Sequence, residues 1–81
     1  MMEFEALHVA ALTEEVARGL EISLKNLPGI EQLRINLQTQ ELQILFDESQ
    51  LAFLTLTQIM AQAGCPLRNM NAALLKDLSK K

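Results

Sequence analysis

Apolar and polar positions alternate along the first half of the chain in a way that predicts a strand, a helix and a second strand. Residues 4–10 have the period of a strand, with Leu7 and Val9 facing the core and His8 on the other side of the sheet. Residues 14–27 repeat apolar side chains on one helix face, at Val16, Leu20, Leu24 and Leu27. Thr13 is the expected N-cap, and Pro28-Gly29 ends the helix.

The second half of the chain repeats the order strand, helix, strand. Residues 33–37 and 42–46 alternate again and are joined by a polar turn, which predicts a hairpin. Residues 53–63 have the spacing of a helix that Gly64 ends. Residues 65–68 then predict a short last strand at a sheet edge, because Pro66 lacks a backbone donor.

The order β-α-β-β-α-β predicts an α+β, ferredoxin-like sandwich over residues 1–70. Two split β-α-β units give a four-stranded antiparallel sheet with both helices on one face. Right-handed crossovers favour the strand order 4-1-3-2. The opposite face of the sheet is then left open, with His8 on it.

Residues 71–81 are predicted to form a short C-terminal helical tail beyond the domain. Asn71 is a candidate N-cap, and Leu74, Leu75 and Leu78 form a narrow apolar stripe. A helix this short is marginal alone in water, so it has to dock. The open sheet face, a protein partner and a second copy are the alternatives.

Composition narrows the function classes. The 81 residues carry a net charge of −3 and 4% aromatic residues, which argues against nucleic-acid binding. The single cysteine excludes an internal disulfide, and one Cys with one His cannot complete a zinc site. No apolar run is long enough to insert in a membrane, and no basic leader begins the chain, so we expect a cytoplasmic protein. No nucleophile is paired with a base, so an enzyme is not expected.

Three stretches between Leu7 and Leu67 resemble the heavy-metal-associated domain of copper chaperones and metal-transporting ATPases. Residues 27–30 resemble the family's L-x-G-V after helix 1, and residues 34–37 resemble its V-x-V-N-L strand. The second half of the chain agrees in order and spacing, at Asp47, Leu56, Met60, Ala63 and Gly64. The resemblance implies the same ferredoxin-like fold.

The family's functional motif is missing from the corresponding loop. That motif, G-M-x-C-x-x-C, supplies two thiolates for Cu(I), a soft metal. Counting back from Gly29, the two cysteine positions hold Thr13 and Val16, and the loop lacks the Gly-Met pair. Copper transfer is therefore not carried over, and no cofactor is expected.

Cys65 is the one candidate metal ligand. It follows Gly64, where the family commonly has an aromatic residue beside the metal loop, so the resemblance places it near Thr13. One thiolate could bind copper only with help from a partner or a second copy. The alternative is a small buried hydrophobic residue.

Three hypotheses follow for function. The first is a protein-interaction or self-association module, in metal homeostasis, that contacts a protein partner or forms a homodimer. Its contact residues would be in the loop and first helical turn and in the tail: Leu12, Thr13, Glu14, Glu15, Leu74, Leu75 and Leu78. The alternatives are weak copper binding through Cys65 and a small-molecule-sensing regulatory domain, because sensing domains share the element order.

Overall fold

The computed structural model describes residues 1–78 and contains four strands and two α-helices in the predicted order. The strands are β1 (Met2–Val9), β2 (Ile30–Asn36), β3 (Glu41–Phe46) and β4 (Met70–Asp77). The helices are α1 (Glu14–Lys25) and α2 (Phe53–Gln62), and a 3₁₀ turn spans Leu67–Asn69. No helix within residues 1–78 is long and apolar enough to cross a bilayer.

The four strands form one antiparallel sheet in the order β2-β3-β1-β4. This is the predicted order 4-1-3-2 read from the other edge, so the ferredoxin-like topology is confirmed. Phe4 of β1 pairs with Ile44 of β3 on one side and with Leu75 of β4 on the other. β1 is therefore a central strand, while β2 and β4 are the two edges.

The core lies between the sheet and the two helices, which share one face of it. Phe53 of α2 packs against rings from two strands: its ring centroid lies 5.6 Å from that of Phe4, with the rings tilted, and 6.4 Å from that of Phe46, with the rings stacked. Such aromatic contacts add to the burial of aliphatic area. The buried residues from the sheet and helices are Phe4, Ala6, Val9, Ala17, Leu20, Leu24, Leu42, Ile44, Phe46, Leu56 and Met60.

Val9 reaches the core through a change of backbone at His8. The alternation of β1 buries Phe4 and Ala6, so that Leu7 lies on the open face, the sheet face away from the helices. His8 then has φ 54°, a left-handed conformation that breaks the period, and Val9 is buried. The prediction that Leu7 faces the core is wrong for this reason; Val9 in the core and His8 exposed are as predicted.

The end of the chain differs most from the sequence prediction. Residues 65–68 form no strand, and residues 71–77 form no helix but most of β4. The fold therefore continues beyond residue 70, and residues 79–81 of the predicted tail lie outside the described part. β1 has a second edge of backbone groups that need partners, and β4 satisfies them from Met2 to Val9. A short helix offers nothing comparable.

Gly29 holds the turn after α1 against the turn after β3. Its carbonyl accepts a hydrogen bond from the N–H of Asp47, at 2.7 Å. Asp47 in turn accepts hydrogen bonds from the hydroxyl and N–H of Ser49, and these hold the pKa of its carboxyl below the usual value. Gly29 has φ +98°, and a Cβ there would lie 2.9 Å from that of Leu51.

We expect Gly29→Ala to lower the free energy of unfolding by about 2 kcal/mol, because a side chain is strained at that φ and meets Leu51. Gly19→Ala is the matched control. A Cβ at Gly19 finds only Ala63, at 3.8–3.9 Å, so this change should stabilise α1 by about 0.5–1 kcal/mol. Urea unfolding of both variants measures the difference, and equal effects would contradict the role given to Gly29.

Candidate functional site

The connection between β1 and α1 is a tight loop over residues 10–13. The N–H of Leu12 donates to the carbonyl of Val9 at 3.0 Å, and the N–H of Thr13 donates to that of Ala11 at 2.9 Å. The Leu12 side chain is only 3% exposed and packs in the core. Leu12 therefore anchors the loop, and the surface that the loop presents comes from its neighbours.

Thr13 begins α1 as the sequence predicts. Its Oγ1 accepts a hydrogen bond from the N–H of Val16 at 3.3 Å, so its hydroxyl is engaged as an N-cap. Glu14 and Glu15 occupy the first turn with both side chains exposed, where the helix dipole favours negative charge. Arg18 lies 3.9 Å from Glu14, an exposed pair that contributes little.

The C-terminal end of α2 lies against the first turns of α1. A Cβ on Gly64 would lie 3.4 Å from Cγ2 of Val16, and Ala63 is the nearest neighbour of Gly19. Gly64 has φ +98°, the left-handed conformation expected of the residue that ends α2. Since Cys65 follows directly, this contact brings it to the N-terminal end of α1.

Cys65 is fully buried and has no disulfide partner. Its backbone N–H donates to the carbonyl of Met60 at 2.9 Å, which ties it to the last turn of α2. Burial raises the pKa of the thiol above its ordinary value of 9.0, because a thiolate would lose its hydration. The side chain thus has the surroundings of a core residue.

The residues at this site do not fit a soft metal ion. Thr13 offers a hydroxyl that already accepts a hydrogen bond, and Val16 offers no donor atom at all. Cys65 is a buried, protonated thiol. Within residues 1–78, no three side chains from His, Cys, Asp and Glu lie close enough together to hold a metal ion.

The three tail leucines lie on or just after β4, away from this loop. Leu74 pairs with Glu5 and Leu75 with Phe4, while the N–H of Leu78 donates to the carbonyl of Met1. The loop leaves β1 at its other end, after Val9, about 13 Å along the strand from Glu5 and about 26 Å from Met1. Apart from Leu12, which is buried, the predicted contact residues therefore form two separate surfaces.

The sequence prediction missed the exposed edge that these leucines form. The uncharged run from Asn71 to Leu75 is as consistent with a strand as with a helix, since a short apolar run does not decide between them. The absence of charge in this run was the sequence signal that could have predicted the exposed edge.

No protein-family model and no curated protein sequence matches the chain, but solved structures do. A copper-binding domain from HMA7, a P-type ATPase, superposes with a TM-score of 0.67 at 14% identity, over 95% of this chain and 96% of that one. The CopZ metallochaperone gives 0.63 at 17% identity, over 79% and 94%. The Atx1–Cu(I)–Ccc2a complex gives 0.61 at 18% identity, over 95% and 97%. The chain thus has the fold of heavy-metal-associated domains.

We expect the stability of the protein to fall as the pH rises above about 9, because of Cys65. The unfolded chain loses the thiol proton near the ordinary pKa of 9.0, whereas the folded chain keeps it to a higher pH. Deprotonation therefore favours unfolding, and the stability present below pH 9 declines above it. Urea unfolding from pH 7 to 10.5 measures this decline. Cys65→Ala should show a smaller one, and identical pH profiles for the two proteins would contradict the assignment.

Proposed function

We propose that this domain is a protein-docking module in metal homeostasis that does not carry copper between two thiolates of its own. The observation that carries the proposal is the state of the three positions at the loop. A metal-handling scaffold is present, but Thr13 caps the helix, Val16 packs near Gly64 and Cys65 is buried. What this end of the molecule still offers to another protein is its surface.

The surface around the first turn of α1 has the chemistry of a docking site for a basic partner. Glu14 and Glu15 are both exposed, and the exposed Arg18 offsets Glu14 only from 3.9 Å. A partner that carries Lys or Arg would be oriented and attracted by these carboxylates. The Atx1–Cu(I)–Ccc2a complex named above is an assembly between proteins, one with this fold, which supports a protein partner for this chain as well.

Copper binding through Cys65 is the alternative, and the burial of that thiol argues against it. A thiolate that bridges to a second copy has to reach the surface and lose its proton. Cys65 has no exposed surface, and its pKa is raised. Binding would require the Cys65 side chain to leave its buried position.

We expect Cu(I), titrated under anaerobic conditions against a chromophoric Cu(I) chelator, to remain with the chelator. Wild type and Cys65→Ser should behave alike, because neither presents two thiolates. Stoichiometric Cu(I) binding by wild type, lost in Cys65→Ser, would establish the alternative instead.

The double variant Thr13→Cys, Val16→Cys is the positive control for that titration. The N–H of Val16 donates to Oγ1 of Thr13. Residues 13 and 16 are therefore neighbours in the first turn of the helix. Two thiols there should withdraw one equivalent of Cu(I) from the chelator. If they do not, this loop cannot hold a two-thiolate copper site even with both cysteines present. The comparison of this loop with the copper-binding loop of the family is then not supported.

The docking surface is tested by charge reversal. Glu14→Lys with Glu15→Lys should lose at least tenfold in the amount of partner captured by the immobilised domain from an extract of its source cells, identified by mass spectrometry. Glu31→Lys with Glu41→Lys makes the same change in net charge at exposed positions elsewhere and should capture as wild type does. Equal capture by both variants, or no specific capture by wild type, would count against the proposal.

A further inference from the structure

β4 is an edge strand whose outer side pairs with no other strand among residues 1–78. It is eight residues long, and every residue from Asn71 to Asp77 is exposed. Leu74 and Leu75 are therefore large apolar side chains at a sheet edge, 49% and 38% exposed. Leu74 lies on the open face with Glu5, and Leu75 lies on the helix face with Phe4.

The hydrogen bond between Leu78 and Met1 tells which backbone groups of β4 point outward. The backbone N–H of Leu78 donates to Met1, so the backbone groups of Leu78 point toward β1. The backbone groups of alternate residues along β4 point the same way. Ala72, Leu74 and Lys76 thus bond to β1. The N–H and C=O groups of Asn71, Ala73 and Leu75 point away from the sheet and can pair with another strand.

The edge strand β2 is protected against pairing with another chain, whereas the edge strand β4 is not. β2 carries Glu31 and Arg34, and its pairing with β3 shifts in register between Ile30 and Gln32. Charged side chains and bulges are the means by which proteins keep an edge from pairing with another chain. β4 keeps one register with β1, in which the pairing of His8 with Asn71 is missing, and it carries no charge from Asn71 to Leu75.

The uncharged part of β4 belongs to a longer segment of the sequence that carries almost no charge. Arg68 is the one charged residue between Ser49 and Leu75, a segment that includes all of α2. The charged residues that give the chain its net charge of −3 lie elsewhere in the sequence. The stretch from Asn71 to Leu75 therefore places no charge of its own opposite a second copy, while on the adjacent strand Glu3 lies beside Lys76 and Glu5 beside Leu74.

The strand is also complementary to itself. Two-fold symmetry requires two copies of β4 to pair antiparallel. With Leu74 of one copy opposite Leu74 of the other, Ala73 faces Leu75 and its outward backbone groups meet those of Leu75. Ala72 then faces Lys76 and Asn71 faces Asp77, so no like charges stand opposite each other.

We propose that this domain self-associates through β4, whose free edge pairs antiparallel with β4 of a second copy to give one continuous eight-stranded sheet. The inference deepens the proposed function, because it names one protein partner, but it stands on β4 and not on the loop before α1. A single strand pair buries less than the about 800 Å² per partner of a typical stable interface, so a dissociation constant of about 10–100 µM is expected.

Sedimentation velocity of the full chain from about 5 to 500 µM tests the proposal. Wild type should shift from monomer to dimer over this range. Ala73→Pro removes an outward donor without removing a bond to β1, and it should raise the dissociation constant at least tenfold. Leu74→Lys places two cations opposite each other at the centre of the pairing and should do the same. Circular dichroism and thermal unfolding establish that each variant is folded.

Leu37→Lys is the matched control, because Leu37 is a similarly exposed leucine, 41% accessible, in the turn between β2 and β3. It should dimerise as wild type does. A wild type that stays monomeric at 500 µM, or folded β4 variants that dimerise unchanged, would overturn the proposal. Capture of a partner that depends on Glu14 and Glu15 would survive that result, so the two proposals fail separately.

Discussion

The pairing of β1 along both of its edges is the interaction on which the rest of the structure depends. β3 satisfies one edge from Met2 to Ala6, and β4 satisfies the other from Met2 to Val9. A central strand with one empty edge would leave a row of backbone donors and acceptors without partners. This requirement takes the last described segment of the chain into the sheet, and it separates β4's leucines from the loop at the other end of β1.

The contact between α1 and α2 determines the chemistry of the loop end. Gly19 lets Ala63 approach, Val16 packs beside Gly64, and Cys65, the next residue, is fully buried. In a scaffold known for metal-binding domains, burial leaves the single thiol inside the core with a raised pKa. The same first turn presents two carboxylates to solvent, and this is why a docking role follows more readily from the geometry than a role in holding a soft cation.

The two edges of the sheet differ in a way that the core does not explain. An edge strand can pack its apolar residues toward the helices and still carry charged residues at exposed positions. β2 does so with Glu31 and Arg34. β4 instead keeps an uncharged stretch at the edge and large side chains on both faces. An unprotected edge strand lets a monomer pair with unrelated chains. The same edge provides a binding site when a specific partner adds a strand to it.

Local rules determined both helices and the hairpin, although not every end, because these depend on periodicity and on residues such as Thr13 and Gly64 whose effect is confined to one turn. With the resemblance to a known scaffold, they also determined the topology and the absence of a two-thiolate site. They could not determine the state of residues 71–77. Ala72, Ala73, Leu74 and Leu75 suit a helix stripe and a strand equally, and the N-cap and lysine signals favoured the helix. Only the tertiary structure contains the vacant edge of β1, which is far away in sequence, and its unpaired backbone groups decided for a strand. The left-handed backbone at His8, which turns Val9 into the core, was likewise decided by packing that no local pattern encodes.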